Sequence, residues 1–173
     1  MSVYRPLVII GPSGSGKSTL AHHLVDTEGF VLAKTYTTRQ RRDAENDDDH
    51  IFVDKETFIT MKKDNQFLGT LSTFGADYGL PFLDTTIKNI VLLRAPAVKQ
   101  FLAQYKNSYV VHVTAPLDTL VERLKKRNSL DRIDEKFLLA EIEAGNTLAD
   151  ITIMSTVSIF KCAALVMKEY RHV

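Results

Sequence analysis

The sequence has a single cysteine, Cys162, so neither an intrachain disulfide nor a cysteine-based zinc site can form. Long apolar runs are also missing. The first such stretch, 7–10, holds only four residues before Gly11, too short for the core of a signal peptide. Nothing approaches the roughly 18 residues that a membrane helix needs. A cytoplasmic protein with no membrane partner is the expectation. Excess charge of one sign is absent as well: 22 Lys+Arg stand against 21 Asp+Glu, a net charge of +1. A protein that coats nucleic acid is normally far more basic. A disordered chain would carry fewer apolar residues than the 45% found here. There is no internal repeat and no low-complexity segment. What remains is 173 residues of average composition, enough for one domain with a real core.

Strand and helix patterns alternate. Residues 7–10 read as a fully apolar strand of the kind buried on both faces of a parallel sheet. Residues 17–26 read as a helix, 30–38 as extended chain, 39–49 as a polar loop and 51–53 as a short strand. Asp54 is placed to cap a helix over 55–63. A strand over 66–74 leads to a turn region at Gly75 and Gly79. Strands are expected at 89–94, 109–114 and 150–154. Helices are expected at 96–105, 116–127, 133–148 and 156–170, with Pro116 opening its helix and a polar break at 128–132. The pattern predicts an α/β fold with a mostly parallel sheet flanked by helices. Residues 35–80 interrupt the alternation and read as a small strand-rich insert.

Gly11-Pro-Ser-Gly-Ser-Gly-Lys17-Ser18 matches G-x-x-x-x-G-K-[ST], between a predicted strand and a predicted helix. Glycines let backbone N–H groups turn inward as an anion nest, and the helix start adds its positive end. A plain Gly-rich turn would not need lysine and serine at those two places. Gly11, Ser13, Gly14, Ser15, Gly16, Lys17, Ser18 and Thr19 are therefore expected to hold ATP phosphates. Lys17 would reach the β- and γ-phosphates and Ser18 would ligate Mg²⁺.

A second cluster, Thr35-Tyr-Thr-Thr-Arg39-Gln-Arg-Arg42, follows the second strand. Arginine suits bidentate recognition of phosphate, and Thr35 to Thr38 add hydroxyls. A solvated basic loop, balanced by the acidic run through Asp49, is the competing reading.

With these two motifs in place, the sequence resembles the guanylate kinase family. The resemblance rests on G-P-S-G-S-G-K-S-T-L at 11–20 and T-T-R-x-x-R at 37–42. It continues through Asp49-His50-Ile-Phe52, Asn65-Gln-Phe-Leu68 and Tyr78-Gly79 into L-V-E-R-L-K-K-R at 120–127. It implies a P-loop core (about 1–34 and 81–173), a monophosphate-binding subdomain (about 35–80) and a short lid (about 127–135). It further implies that Thr35, Arg39, Arg42 and Tyr78 hold the acceptor's phosphate, with His50 where the family has a tyrosine. The lid cations would be Arg127 and Arg132, with Arg123 in support, although a merely solvated helix face would show the same residues. The function implied is phosphoryl transfer from ATP-Mg²⁺ to the phosphate of a small acceptor, GMP or dGMP first.

The departures bear on the acceptor. Gly69 stands where the family has a guanine-reading Glu, and Leu80 where it has Ser or Thr. The strand Val91-Leu-Leu-Arg94 lacks the acids of the family's L-D-x-D. Ser72, with Thr73 and Asp77, is the nearest candidate to read another group. A ribose 1,5-bisphosphate kinase is the first alternative, because its phosphate loop, T-x-R loop and shortened middle are similar. A non-catalytic interaction domain and a kinase of polynucleotide 5′-hydroxyls are further alternatives. The second lacks both an obvious base and a basic track for nucleic acid. Among other residues, His22 and His23 are expected to face solvent or helix packing. His112 is expected to be a satisfied core histidine, Cys162 a small core residue, and Phe58, Phe67 and Phe74 subdomain core.

Overall fold

The computed structural model of the chain describes residues 3–41 and 49–171. Arg42, one of the expected phosphate ligands, lies outside them. A five-stranded sheet runs in the order β2(Val31–Ala33), β7(Asn89–Leu92), β1(Leu7–Ile10), β8(Tyr109–Thr114), β9(Ile151–Met154), and every pairing in it is parallel. The helices are α1(Lys17–Glu28), α2(Lys55–Lys63), α3(Ala95–Gln104), α4(Leu117–Lys126), α5(Glu135–Leu148) and α6(Ile159–Arg171), with a 3-10 turn at Leu130–Arg132. The expected α/β class is what the chain adopts.

Alternation along β1 shows how the core divides. Leu7 and Ile9 face one side, where α1 and α6 supply Leu20, Leu24, Val166 and Met167. Val8 and Ile10 face the other, with Val98 and Phe101 of α3. Burial on both faces is why this strand has no polar residue.

A second sheet of four strands has the order β4(His50–Phe52), β3(Thr35–Thr37), β6(Ala76–Pro81), β5(Phe67–Thr73). Two sequence expectations need correction. The extended stretch 30–38 is broken at Lys34 into β2 and β3, which belong to different sheets. Gly79 is not in a turn but inside β6, paired with Tyr36 and Thr70. A Cβ there would strike the Phe67 ring, so glycine makes room for an aromatic of the neighbouring strand. The turn itself is Phe74-Gly75, both residues with positive φ (50° and 72°). Asp54 caps α2 by accepting from the Thr57 N–H at 2.7 Å, as its position predicts.

Phe58 and Phe67 stack within this small unit, ring centroids 4.9 Å apart. Phe74 does not join them. It leaves the hairpin tip to meet Phe137 of α5 edge-on at 5.3 Å. The cavity between the two sheets is the site.

Candidate active site

The phosphate loop leaves the C-terminal end of β1, the crevice where open parallel sheets bind ligands. Gly11, Gly14 and Gly16 all have positive φ. At Gly11 a Cβ would run into the Val113 carbonyl oxygen of the neighbouring strand, so the loop passes too close for any side chain. Gly16 is the N-cap of α1 and offers no capping side chain, and the first turn carries no acidic residue. The open N–H groups of that turn favour an anion.

The Lys17 ammonium folds back onto the loop, donating to the Gly11 and Pro12 carbonyls at 2.6 and 2.8 Å. Burial is the main reason its pKa falls to about 8; the Arg94, Arg132 and Arg127 charges add to the fall, and Glu141 opposes it. Three cations therefore converge on this lysine. The Ser15 hydroxyl and the Arg132 Nε are buried without a hydrogen-bond partner among the described residues. Orphaned donors of this kind beside an open helix N-terminus fit the oxygens of a polyphosphate.

A cavity of about 250 Å³ opens from the loop towards the small sheet. Its polar half is lined by Thr35, Arg39, Asp49, His50, Tyr78, Arg127 and Arg132. Thr35 Oγ1 and His50 Nδ1 are 2.7 Å apart, and the His50 ring lies edge-on to Tyr78. Its apolar half is lined by Leu68, Leu71, Leu80, Leu92, Ala97 and Phe101. A second cavity, of about 330 Å³, lies on the other side of the loop against Val157 and Ile159. Gly14, Gly16, Thr19 and Arg127 line both.

Not every expected site residue takes the expected place. Arg132 reaches the loop, donating to Ser13 Oγ at 3.3 Å. Arg123 is instead a strut: it donates to the Gly14 carbonyl at 3.2 Å and to the Ser155 side chain and carbonyl at 2.8 and 3.1 Å. It pins the underside of the loop to the end of β9. The Ser72 hydroxyl bonds to Asp77 at 2.5 Å on the exposed face of the hairpin, and Ser72 is not part of the cavity wall. His22 does not simply face solvent. Its Nε2 lies 2.7 Å from one Asp49 oxygen, while Ser18 Oγ donates to the other at 2.6 Å. The hydroxyl and the carboxylate are hard oxygen donors of the kind magnesium takes. His112 is buried as expected, but among the described residues only Nδ1 has a partner, Asn146 Oδ1 at 3.0 Å.

Three residues were not anticipated from the sequence. Arg94, the N-cap residue of α3 two residues past β7, donates to Glu141 of α5 at 2.7 Å, and both are largely buried. The cation that follows the core strand is thus neutralised by an acid of α5. Gln100 fills the space beside Gly69, its amide donating to the Leu68 carbonyl at 3.2 Å. A Glu in the buried stripe Leu138, Glu141, Gly145 is the one signal that could have found Glu141.

A family model described as Guanylate kinase matches residues 3–137. The chain is 41% identical over 78 residues to a guanylate kinase of Ehrlichia canis (strain Jake), a match covering 43% of this chain and 37% of that protein. It is 29% identical over 150 residues to a guanylate kinase of Legionella pneumophila (strain Paris), covering 80% of this chain and 72% of that protein. It is 33% identical over 128 residues to a bifunctional ribose 1,5-bisphosphokinase-thymidine phosphorylase of Cupriavidus pinatubonensis, covering 69% of this chain and 21% of that protein. The chain therefore spans well under half the length of the first and last of these relatives. In structure it is similar to guanylate kinase from Anaplasma phagocytophilum, with a TM-score of 0.78 at 22% identity, over 99% of this chain and 86% of that one.

Proposed function

The chain belongs to the guanylate kinase family, and from that premise we propose that it transfers the γ-phosphoryl group of ATP to the phosphate of a small acceptor, a nucleoside monophosphate with GMP or dGMP first. The observation that carries this is the pair of cavities sharing one phosphate loop, with Arg127 on both walls. One cavity suits the donor's nucleoside and the other the acceptor, so the two phosphates would meet above Lys17.

An acceptor phosphate is already anionic at neutral pH, so no strong base is required. One of its oxygens attacks the γ-phosphorus, the bond to the β,γ-bridging oxygen breaks, and ADP leaves with that electron pair. Positioning and charge neutralisation do the catalytic work. Lys17, Arg127 and Arg132 would hold the transferring group, and Thr35, Arg39, His50 and Tyr78 the acceptor's phosphate. Arg42 belongs to the same proposal by its motif position. Bound magnesium would neutralise charge on the β- and γ-oxygens, with Ser18 as a ligand.

Arg94 is the observation that favours a second reading, ribose 1,5-bisphosphate, because it puts a cation where the family carries acids. Glu141 neutralises it at 2.7 Å, however. The neighbouring wall of leucines, Ala97 and Phe101 suits a flat base better than a second phosphate. An assay of ADP formation from ATP-Mg²⁺ against GMP, dGMP, AMP, CMP, UMP, dTMP and ribose 1,5-bisphosphate tests this directly. Turnover with GMP or dGMP above the others is expected, and none with Lys17→Met. Selective turnover of the bisphosphate would replace the first reading by the second. No turnover with any of them, with ATP still bound, would point to an interaction domain.

A further inference from the structure

The geometry points to Asp49 as the carboxylate ligand of the donor's magnesium ion, with His22 as the residue that positions it. This rests on the reading of the site as an ATP-dependent kinase and assigns a role to two residues which that reading leaves unused.

Asp49 is held at both ends. Ser18 Oγ donates to Oδ2 at 2.6 Å and His22 Nε2 sits 2.7 Å from Oδ1. Ser18 and His22 are four residues apart on α1, so they share one helix face and present a two-point cradle. The Asp49 side chain is only 24% exposed and lines the acceptor cavity. A carboxylate fixed against the phosphate-loop serine is where a cation bound to β- and γ-oxygens needs a charge. Cis ligands of an octahedral magnesium are about 3 Å apart. The two oxygens would have to part by only a few tenths of an ångström once the hydroxyl proton turns away.

Of the described carboxylates near the loop, Asp49 is the one that lines the cavity and touches Ser18. Glu141 is the nearest rival, but one of its oxygens is committed to Arg94 and the residue is not part of the cavity wall. The segment that follows β7 carries Arg94 itself. The charge that such a site needs would therefore come from the residue that leads into the edge strand of the small sheet.

That origin has a consequence. Asp49 immediately precedes β4, whose first residue, His50, contacts Thr35 on the acceptor side at 2.7 Å. Two adjacent residues, one just before β4 and one opening it, would thus serve the metal and the acceptor phosphate. Seating the acceptor would fix β4 and with it Asp49, so acceptor binding should tighten metal binding.

The test measures Mn²⁺ affinity of the full chain saturated with ADP, by electron paramagnetic resonance of free Mn²⁺, alongside ADP affinity in excess EDTA. Asp49→Asn is nearly isosteric, and its amide oxygen can still accept from Ser18. It should raise the Mn²⁺ dissociation constant about 10-fold or more and leave metal-free ADP affinity unchanged. Asp49→Cys should shift preference from Mn²⁺ to Cd²⁺, which a purely structural aspartate would not do. His22→Ala should weaken Mn²⁺ binding, and His22→Gln, which keeps a donor, should restore it. Wild-type Mn²⁺ affinity in Asp49→Asn would overturn the assignment while leaving the kinase reading intact. Failure of the wild-type chain to bind ADP at all would overturn both.

Discussion

Lys17 is a lysine poised to change charge when its ligand arrives. Burial, with three nearby arginines adding to it, brings its pKa to about 8. A triphosphate brought within contact reverses the balance, because opposite charge favours the ammonium. ATP binding near pH 8 should therefore take up about half a proton at this residue, and little below pH 7, where the lysine is already charged. Calorimetry at pH 8 in buffers of different ionisation enthalpy measures that uptake. In Lys17→Arg, whose guanidinium does not titrate, the uptake should vanish. Persistence of the full uptake in Lys17→Arg would assign it to another group. At this scale much of the site was legible. A loop fixed by G-x-x-x-x-G-K-S leaves little freedom, so the positive-φ glycines and the lysine folded back onto the loop follow from chemistry alone. Gln100 and Glu141 were not legible, because each acts across elements far apart in sequence. Gln100 looks like an ordinary exposed helix residue until α3 is laid against Gly69. Arg94 could be read as a lost acid, but its pairing to α5 could not.

The β5–β6 hairpin is the element whose design the sequence hides most. Its turn places Phe74 at φ 50°, where Asn or Gly is favoured and a bulky ring is not. The ring stands 4.7 Å from the Arg94 guanidinium and 4.9 Å from that of Arg132, and meets Phe137 edge-on. These contacts tie the hairpin to α5 and to the turn after α4. Phe74→Asn keeps a residue that accepts left-handed backbone and removes only the ring. It should leave the melting temperature unchanged or higher. It should raise the acceptor KM about fivefold, the equivalent of one exposed cation–π contact of about 1 kcal/mol. Steady-state kinetics with ATP saturating decides it, and an unchanged acceptor KM would show that the ring does not hold the hairpin over the acceptor. The same hairpin explains the missed strand. Ala76-Asp-Tyr-Gly-Leu-Pro has no clean alternation, and its glycine reads as a turn. Only the neighbouring Phe67 ring shows why a strand tolerates glycine there. The helices α2 and α4, by contrast, announce themselves through Asp54 and Pro116.

For the molecule as a whole, the alternation of apolar strands and helices was enough to give the class, because a strand buried on both faces has no other home than a parallel sheet. What it could not give is how the layers bear on each other, and His112 shows this best. It lies in β8 with no exposed surface, and a Cβ on Gly145 would strike its ring, so α5 packs directly on the imidazole. Nδ1 lies against the Asn146 oxygen, an acceptor only, and so carries the hydrogen; Nε2 has no partner among the described residues. The neutral ring is the form that this arrangement fits. Burial lowers the pKa below the ordinary histidine value of 6.5, and the Lys17 charge adds to that, although the Asn146 bond opposes it. The unfolded chain therefore binds more protons than the folded one around and below pH 6.5. Stability from this residue is complete above that pH and is lost as pH falls through it towards the folded pKa. Melting temperatures measured from pH 7.5 to 5.0 should fall more steeply for the wild-type chain than for His112→Asn, whose amide nitrogen stands where Nδ1 does, keeps a donor to Asn146 and cannot titrate. Each kcal/mol by which the two curves diverge corresponds to about 3 °C in a domain of this size. At pH 7.5 the variant should be the less stable of the two, since losing the ring leaves a void against Gly145, and the gap should narrow as the pH falls. Parallel curves would mean that the layer between β8 and α5 accepts a charged imidazole, and that acid sensitivity arises elsewhere in the fold.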